Sequence, residues 1–152
     1  LGSYNHFDAQ LPMALEATAA ANVDDCYELE AFSPPGEPHR FGLNITFRQL
    51  VSDVQNGVDS GIISAKFHNT ISELLLRFAM IYRSETNLNT VAISGGVFCN
   101  RYLVNRLMKQ LKENNFSVLM NRNVPSNDGG ISLGQAAITA HLLNLETVLE
   151  TS

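Results

Sequence analysis

The stretch VAISGGVFCN at residues 91–100 is the part of the sequence that best indicates the fold class of this chain. Residues 91–94 are suited to a buried strand. They lead directly into Gly95-Gly96, and an amphipathic helix begins near Asn100. A second stretch, PSNDGGISLGQ at residues 125–135, repeats the order of strand, glycine pair and helix further along the chain. Because helices that connect neighbouring strands are typical of parallel pairing, the second half of the chain predicts an α/β sheet covered by helices.

The glycine pair at 95–96 has two interpretations. Backbone without Cβ atoms can approach a phosphate or a ribose closely, and the helix that follows offers unpaired N–H groups and the positive end of its dipole. Ligands of open α/β sheets lie beyond the carboxyl ends of the strands, which is where this pair falls. The alternative is a tight turn that needs positive φ. The pair belongs to neither a GxGxxG nor a P-loop motif, so both interpretations stay open.

The segment Asn127-Asp128-Gly129-Gly130 is equally ambiguous. Asp128 is well placed as an N-cap that accepts N–H bonds from the first helical turn. Its carboxylate is also a suitable ligand for a hard cation, since such cations prefer oxygen. Two strand–glycine–helix junctions in one small sheet, one of them carrying an acid, favour a nucleotide site.

The remaining pattern gives the order of elements and the core. Predicted are a helix at 8–21, a short strand at 25–30, a surface loop at 33–42, a helix at 46–55 capped by Thr46, a long helix at 59–84, a strand at 90–94, a helix at 100–114, a strand at 116–120 and a last helix at 129–143. Apolar spacings of three and four along the long helix predict one buried stripe, formed by Ile63, Phe67, Ile71, Leu74, Phe78 and Ile81. The helix at 100–114 is expected to bury Leu103, Leu107, Met108 and Leu111.

Composition excludes several classes of protein. The 152 residues suffice for one domain, and 45% apolar content argues against disorder. The net charge of −5 and scattered basic residues disfavour nucleic acid as a partner. Two distant cysteines indicate a reducing, cytoplasmic location without disulfides or zinc, and no apolar run approaches the roughly 20 residues of a membrane span. The chain begins Leu-Gly-Ser rather than Met, as expected of a piece of a longer protein.

Three segments together carry a family resemblance: ISAKFHN at 63–69, VAISGGVFCNRYLVNRL at 91–107 and VPSNDGGISLGQA at 124–136. They resemble the C-terminal part of the HypF-type carbamoyltransferases of [NiFe]-hydrogenase maturation, with a weaker similarity in LEATA near the start. Relatives of that family include the TsaD enzymes of tRNA threonylcarbamoylation. All resemble the actin–sugar kinase–Hsp70 (ASKHA) superfamily, whose nucleotide lies between two lobes. The resemblance implies an α/β, mixed α+β fold in which residues 1–152 are a single domain, the second lobe of a TsaD-like domain, with 91–94 as a central strand of a mixed sheet.

The same resemblance implies a site for ATP or carbamoyl-adenylate. The positions that match a nucleotide-facing segment of the family are Ser94, Gly95, Gly96, Val97 and Asn100, together with Asp8 and Gln10 at the entry of the first helix. Relatives often have Glu-Gly-Gln at that entry, so Ala9 departs from the family pattern. Cys99 stands where glutamine is usual, and a packed side chain is expected there rather than a nucleophile.

A divalent metal ion is also implied, with Asp128 matching an acid that helps to hold it near the phosphates. The other metal ligands of the family are two histidines spaced i, i+4, and no such pair occurs in this chain, so the metal site is expected to be incomplete. His68, in the family string FHN, is expected to be a structural or cleft-edge residue.

Three functions follow as expectations. In the first, the chain is part of an enzyme that transfers a carbamoyl group from carbamoyl-adenylate to the C-terminal cysteine thiol of a HypE-like acceptor protein. The partners of the chain would then be a first lobe and upstream domains, and alone it would be catalytically inactive and prone to self-association. The second is a tRNA threonylcarbamoyladenosine transferase of the TsaD family. The third is a non-catalytic nucleotide-binding or interaction module, which the departures at Ala9 and Cys99 keep open.

Overall fold

The computed structural model describes residues 4–150, with 144–150 described by their helical backbone alone. In chain order the elements are α1 (Gln10–Thr18), β1 (Glu30–Phe32), β2 (Arg40–Gly42), α2 (Asn44–Gln55), α3 (Ser60–Thr86), β3 (Thr90–Ile93), α4 (Arg101–Glu113), β4 (Ser117–Met120) and α5 (Ile131–Glu150). Two 3-10 turns, Gly96–Cys99 and Asp128–Gly130, precede α4 and α5. None of the described helices combines the length and apolar character needed to cross a membrane.

The second half of the chain has the predicted α-β-α-β-α order. Strands β3 and β4 pair in parallel, with Thr90 opposite Ser117 and Ile93 opposite Met120, and α4 makes the connection between them. Strands β1 and β2 form a separate antiparallel pair. The mixed α/β class is therefore confirmed, but the strands are divided between two sheets. Within residues 4–150, β3 pairs on one side only and is not a central strand.

The main core lies between α3, β3 and α4. Its buried members are Leu76, Ile93, Leu107, Leu111 and Phe116. Burying an aliphatic side chain of this size contributes about 1.5–3 kcal/mol, so this cluster fixes the end of β3 against two helices. The inward face predicted for α4 is confirmed for Leu103, Leu107 and Leu111, which are at most 3% exposed. The fourth predicted member, Met108, is half-buried and packs against the edge of this cluster.

The face of α3 that is buried most deeply is polar, which the sequence did not predict. Of the predicted stripe only Ile63 is buried, and the others are half-buried. The buried polar side chains on this helix are Ser64, His68, Asn69, Thr70 and Ser72.

These polar side chains form hydrogen bonds with the backbone of the extended segment at 19–29, which does not pair with a strand. The Nδ2 of Asn69 donates to the carbonyl oxygens of Val23 and Asp25 at 2.8 Å each, and the Oγ1 of Thr70 accepts from the N–H of Tyr27 at 2.8 Å. Buried backbone groups need partners, so side chains of α3 take the place of a neighbouring strand.

Three local predictions in the first half are corrected by the same arrangement. The strand expected at 25–30 is displaced to Glu30–Phe32, and the loop expected at 33–42 ends in β2, so the two form a hairpin. Thr46 is not the cap of α2. It lies inside that helix, fully buried, and its Oγ1 donates to the carbonyl oxygen of Glu28 at 2.5 Å.

The last helix presents its apolar residues to solvent. Helix α5 starts after the second 3-10 turn and continues beyond the predicted end at 143. Ile131, Leu133, Ile138 and Leu142 are each more than half exposed. An apolar surface of this kind is typical of a face that packs against another part of a protein.

Candidate functional site

A cleft of about 630 Å³ opens where the two glycine-containing junctions meet the start of α1. The residues that line it are Asp8, Ala9, Pro12, Met13, Glu16, Gly96, Val97, Cys99, Asn100, Asn127, Asp128 and Gly129. The structure therefore brings together three segments that are far apart in sequence, as expected for the carboxyl ends of parallel strands. Of the eight predicted site residues, Asp8, Gly96, Val97, Asn100 and Asp128 line the cleft.

The other three predicted residues are not among the lining residues of the cleft. The N–H of Gly95 donates to the carbonyl oxygen of Ser126 at 2.7 Å and so ties the two junctions together. Ser94 is exposed just after β3. The Oε1 of Gln10 accepts from the N–H of His6 at 2.5 Å, which closes the turn before α1.

The two glycines of the first junction differ in whether the backbone of this chain requires a glycine there. Gly95 has φ of +109°, so the tight-turn interpretation is correct for this position. Gly96 has no such φ, and a Cβ there would meet only the Cβ of Asn127, at 3.9 Å. The chain itself thus does not require glycine at 96, and the space over this backbone opens into the cleft.

At the second junction the cap is Asn127, and the cap interpretation of Asp128 is wrong. The Oδ1 of Asn127 accepts from the N–H of Gly129 at 3.1 Å. The carboxylate of Asp128 is exposed, and within residues 4–150 it has neither a hydrogen bond nor an ion pair. Its charge is therefore available to a ligand of the cleft.

Asn100 lines the cleft, but its side chain is engaged inside the protein. The Oδ1 accepts from the N–H of Leu103 at 2.9 Å and caps α4, while the Nδ2 faces the Nε2 of His68 at 2.8 Å. Asn100 thus fixes the end of the nucleotide-facing segment that the sequence predicts at 94–100.

Glu16 is a cleft residue that the sequence analysis missed. Its Oε1 accepts from the N–H of Arg101 at 2.7 Å, which places a carboxylate of α1 at the N-terminus of α4. This position is favourable because the helix dipole is positive there. The segment LEATA could have indicated this role, because Glu16 follows Pro12 by four residues and so lies on the same face of α1.

The electrostatic character of the cleft is acidic. Asp8, Glu16 and Asp128 line it, and no Lys, Arg or His side chain is among its lining residues. Phosphate groups would meet repulsion here unless a cation accompanied them. Within the part of the chain that the structure describes, no three His, Cys, Asp or Glu side chains are arranged to hold a metal ion by themselves.

A second polar cluster lies away from the cleft and joins α2, α3 and the extended segment. The Nζ of Lys66 donates to the Oδ2 of Asp53 at 2.6 Å, and the hydroxyl of Tyr27 donates to the same oxygen at 3.0 Å. The bond from Lys66 lowers the pKa of Asp53, and burial raises the pKa of Tyr27. This cluster stabilises the fold and does not touch the cleft.

Comparisons with known proteins give the family. The family model described as the second subdomain of the Kae1-like domain of carbamoyltransferases matches residues 1–135. The carbamoyltransferase HypF of Synechocystis is 30% identical over 131 residues, which cover 85% of this chain and 16% of that protein. The tRNA N6-adenosine threonylcarbamoyltransferase of Ehrlichia ruminantium is 31% identical over 121 residues, 70% of this chain and 35% of that protein.

Solved structures agree with the sequence relatives. A full-length HypF in a phosphate- and nucleotide-bound form matches with a TM-score of 0.84 at 39% identity, over 93% of this chain and 18% of that one. HypF of T. kodakarensis matches in fold, with a TM-score of 0.70 at 21% identity. The fold is therefore that of the Kae1-like domain, a lobe of the ASKHA type, and the chain spans less than a fifth of the Synechocystis HypF and of both solved HypF chains.

Proposed function

Because this chain belongs to the HypF carbamoyltransferase family, we propose that it is the nucleotide-binding lobe of a longer carbamoyltransferase, here called the parent chain. The observation that carries the proposal is the open backbone at Gly96 beside the uncommitted carboxylate of Asp128. A ligand that needs both close backbone contact and a cation fits this pair, and a nucleotide with its metal ion is such a ligand.

In the proposed complex the nucleoside lies against the first junction. Gly96 allows close approach, and the side chain of Val97, 59% exposed, supplies apolar surface. Within the described residues the N–H groups of Gly96 and Val97 have no acceptor, so both can donate to the ligand. Asn100 and Glu16 hold this wall in place through the N-terminus of α4.

The metal ion belongs to the second junction. The residues fit it in part: Asp128 offers an anionic oxygen, and Asp8 and Glu16 line the same cleft. In the parent chain a divalent cation held by Asp128 and by groups of the first lobe would neutralise the phosphates. Because the cation would neutralise the phosphates, an acidic cleft can bind a phosphate ligand.

The transfer reaction is proposed for the parent chain and not for this lobe alone. There the thiol of an acceptor cysteine loses its proton to solvent, and the thiolate sulfur attacks the carbamoyl carbon of carbamoyl-adenylate. The C–S bond forms, the C–O bond to the phosphate breaks, and AMP leaves. The first lobe, the upstream domains and a HypE-like acceptor with a C-terminal cysteine are the proposed partners, in the cytoplasm. The unpaired side of β3 and the exposed apolar face of α5 support a lobe that packs against such partners.

A tRNA threonylcarbamoyl transferase is the second candidate, favoured by the similarity to the Ehrlichia protein. Against it stands the acidic balance of the chain, with a net charge of −5, because tRNA binding relies on clustered cations. Incubating the parent chain with both acceptors, a cysteine-terminated protein and tRNA, distinguishes the two, and we expect carbamoylation of the protein.

The test of the nucleotide site uses a matched pair of glycine variants in the parent chain. In neither Gly96 nor Gly134 is φ positive, and a Cβ has free space at both, but Gly134 lies outside the cleft. We expect Gly96→Ala to weaken binding of a non-hydrolysable ATP analogue by about tenfold or more, since the new Cβ blocks close approach. Gly134→Ala should bind as the wild type does. Equal affinity in both variants would refute the proposed site, and so would the failure of the wild-type parent chain to bind the analogue.

A further inference from the structure

His68 lies directly beneath the cleft wall and links three helices through hydrogen bonds. Its side chain is buried, at 5% exposure, on α3. The Nδ1 lies 2.8 Å from the carbonyl oxygen of Ser64, and the Nε2 lies 2.8 Å from the Nδ2 of Asn100. The hydroxyl of Ser64 in turn donates to the carbonyl oxygen of Leu15 on α1. A chain of bonds therefore runs from α1 through α3 to the N-terminus of α4.

The orientation of the Asn100 amide follows from the cap that it makes. The N–H of Leu103 is a donor, so the atom that it contacts at 2.9 Å must be the Oδ1 of Asn100. The Nδ2, which is also a donor, is then the atom that faces His68. The Nε2 of His68 must accept this bond and therefore carries no proton.

The protonation state of His68 follows from the same bonds. Its Nδ1 faces a carbonyl oxygen, which can only accept, so the proton of the imidazole resides on Nδ1. Both ring nitrogens are thus assigned, and the imidazole is neutral. A histidinium would carry a second proton on Nε2 and would place two donors face to face at Asn100.

Neither the hydrogen bonds nor the ring contacts of His68 involve a carboxylate that could neutralise such a histidinium. The cavity beside it, of about 390 Å³, is lined mainly by apolar groups, including Leu11, Ile71 and Val97. Three titratable side chains on the packed elements are engaged elsewhere. The carboxylate of Glu16 accepts from backbone at α4, the ammonium of Lys66 pairs with an aspartate, and the hydroxyl of Tyr102 donates to Asn69.

We propose that His68 is a positioning residue for the segment 95–100 and that it holds this segment only as the neutral imidazole. Protonation forces the Asn100 amide either to leave His68 or to turn over and abandon Leu103, so the cap of α4 and the position of the cleft wall are lost together. The inference rests on the proposed nucleotide site, because it predicts that nucleotide affinity falls when residue 68 can no longer accept the bond from Asn100.

One arm of the test needs no nucleotide. Nitrogen-15 spectra of the 152-residue chain should show a neutral His68 with its proton on Nδ1 near pH 7.5. Hydrogen-exchange protection of the Leu103 amide should fall about tenfold in His68→Leu, which cannot accept from Asn100, and this is the loss expected for one helix cap. In His68→Gln, whose amide oxygen accepts as the imidazole does, that protection should be retained. A proton on Nε2 near pH 7.5, or protection in His68→Leu equal to that of the wild type, would overturn the proposal.

The second arm measures affinity for a non-hydrolysable ATP analogue in the parent chain near pH 7.5. We expect His68→Leu to bind about tenfold more weakly than the wild type. His68→Gln should bind as the wild type does, and so should the control His39→Gln, which changes a half-buried histidine paired with Glu85 away from the cleft. Asn100→Ala, which also removes the bond to His68, replaces His68→Leu if that variant does not fold.

The outcomes separate the two proposals. A wild-type parent chain that binds no nucleotide at either pH refutes the proposed function, while the exchange measurement still decides the role of His68. A wild type that binds, with equal affinity in His68→Leu, refutes the positioning role alone.

Discussion

Separate substitutions of the neighbours Asp128 and Asn127 distinguish a role in stability from a role in ligand binding. The cap bond belongs to Asn127, and the carboxylate of Asp128 makes no bond within the described residues. Asp128→Asn should therefore change the free energy of unfolding by less than about 0.5 kcal/mol, as for an exposed residue without partners. Asn127→Ala removes one cap and should cost about 1 kcal/mol, which lowers the melting temperature of a domain of this size by about 2–4 °C.

For cation binding the order should be reversed, with Asp128→Asn having the larger effect. Even with the dielectric constant of bulk water, a carboxylate oxygen and a magnesium ion about 2.1 Å apart attract each other by roughly 4 kcal/mol. That attraction corresponds to more than a hundredfold in affinity. Asp128→Asn keeps an oxygen but loses the charge, so the magnesium-dependent part of nucleotide binding in the parent chain should fall by about two orders of magnitude, and carbamoyl transfer with it.

The assay combines thermal unfolding of the 152-residue chain with calorimetric titration of the parent chain, with and without magnesium. Asn127→Ala should lower the melting temperature and leave magnesium dependence in place, and Asp128→Asn should do the reverse. If Asp128→Asn left magnesium dependence and transfer near the wild-type level, Asp128 would not be a metal ligand. If it lowered the melting temperature as much as Asn127→Ala does, the assignment of the cap would be wrong.

Three further predictions concern other parts of the chain. Glu16→Ala should weaken nucleotide binding and reduce exchange protection at the start of α4, and Glu16→Gln should do so less because its amide oxygen still accepts from Arg101. Asp53→Asn should cost about 2 kcal/mol at neutral pH through its bonds to Lys66 and Tyr27. Since the folded state lowers the pKa of Asp53, this stabilisation is present above about pH 4 and disappears as the pH falls further, so urea unfolding at neutral and acidic pH should show the cost shrinking. Ile138→Lys should reduce self-association of the chain in light scattering by charging the exposed face of α5, and unchanged association would place the contact elsewhere.

Local patterns predicted the second half of the chain well. Helix α3, the pair β3 and β4, and α4 all lie within a few residues of their expected bounds, because each has a long apolar period or a strand followed by glycine. The sequence also identified the two junctions that meet in the cleft. Parallel strands bring their carboxyl ends to one edge, so this part of the site followed from the topology.

The incorrect or missing predictions share one main cause, which is hydrogen bonding between residues that are far apart in the sequence. The extended segment at 19–29 is satisfied by side chains of α3, and no local pattern shows that Asn69 and Thr70 face inward to serve it. The bond from Arg101 to Glu16 joins residues far apart in the sequence, and so does the bond from Asn100 to His68. The cap at the second junction was assigned one residue too late, since Asn127 and Asp128 are equally good caps by type.

Chemical-shift mapping on the 152-residue chain tests whether the cleft is a nucleotide site. A magnesium-loaded, non-hydrolysable ATP analogue is titrated to millimolar concentration into nitrogen-15-labelled chain, so that even weak binding by an isolated lobe is detected. We expect saturable shifts at the amides of Gly96, Val97 and Asp128, with none at Asp53 and Lys66. Shifts confined to that remote cluster, or no saturable shifts anywhere, would contradict the assignment of the cleft as a nucleotide site.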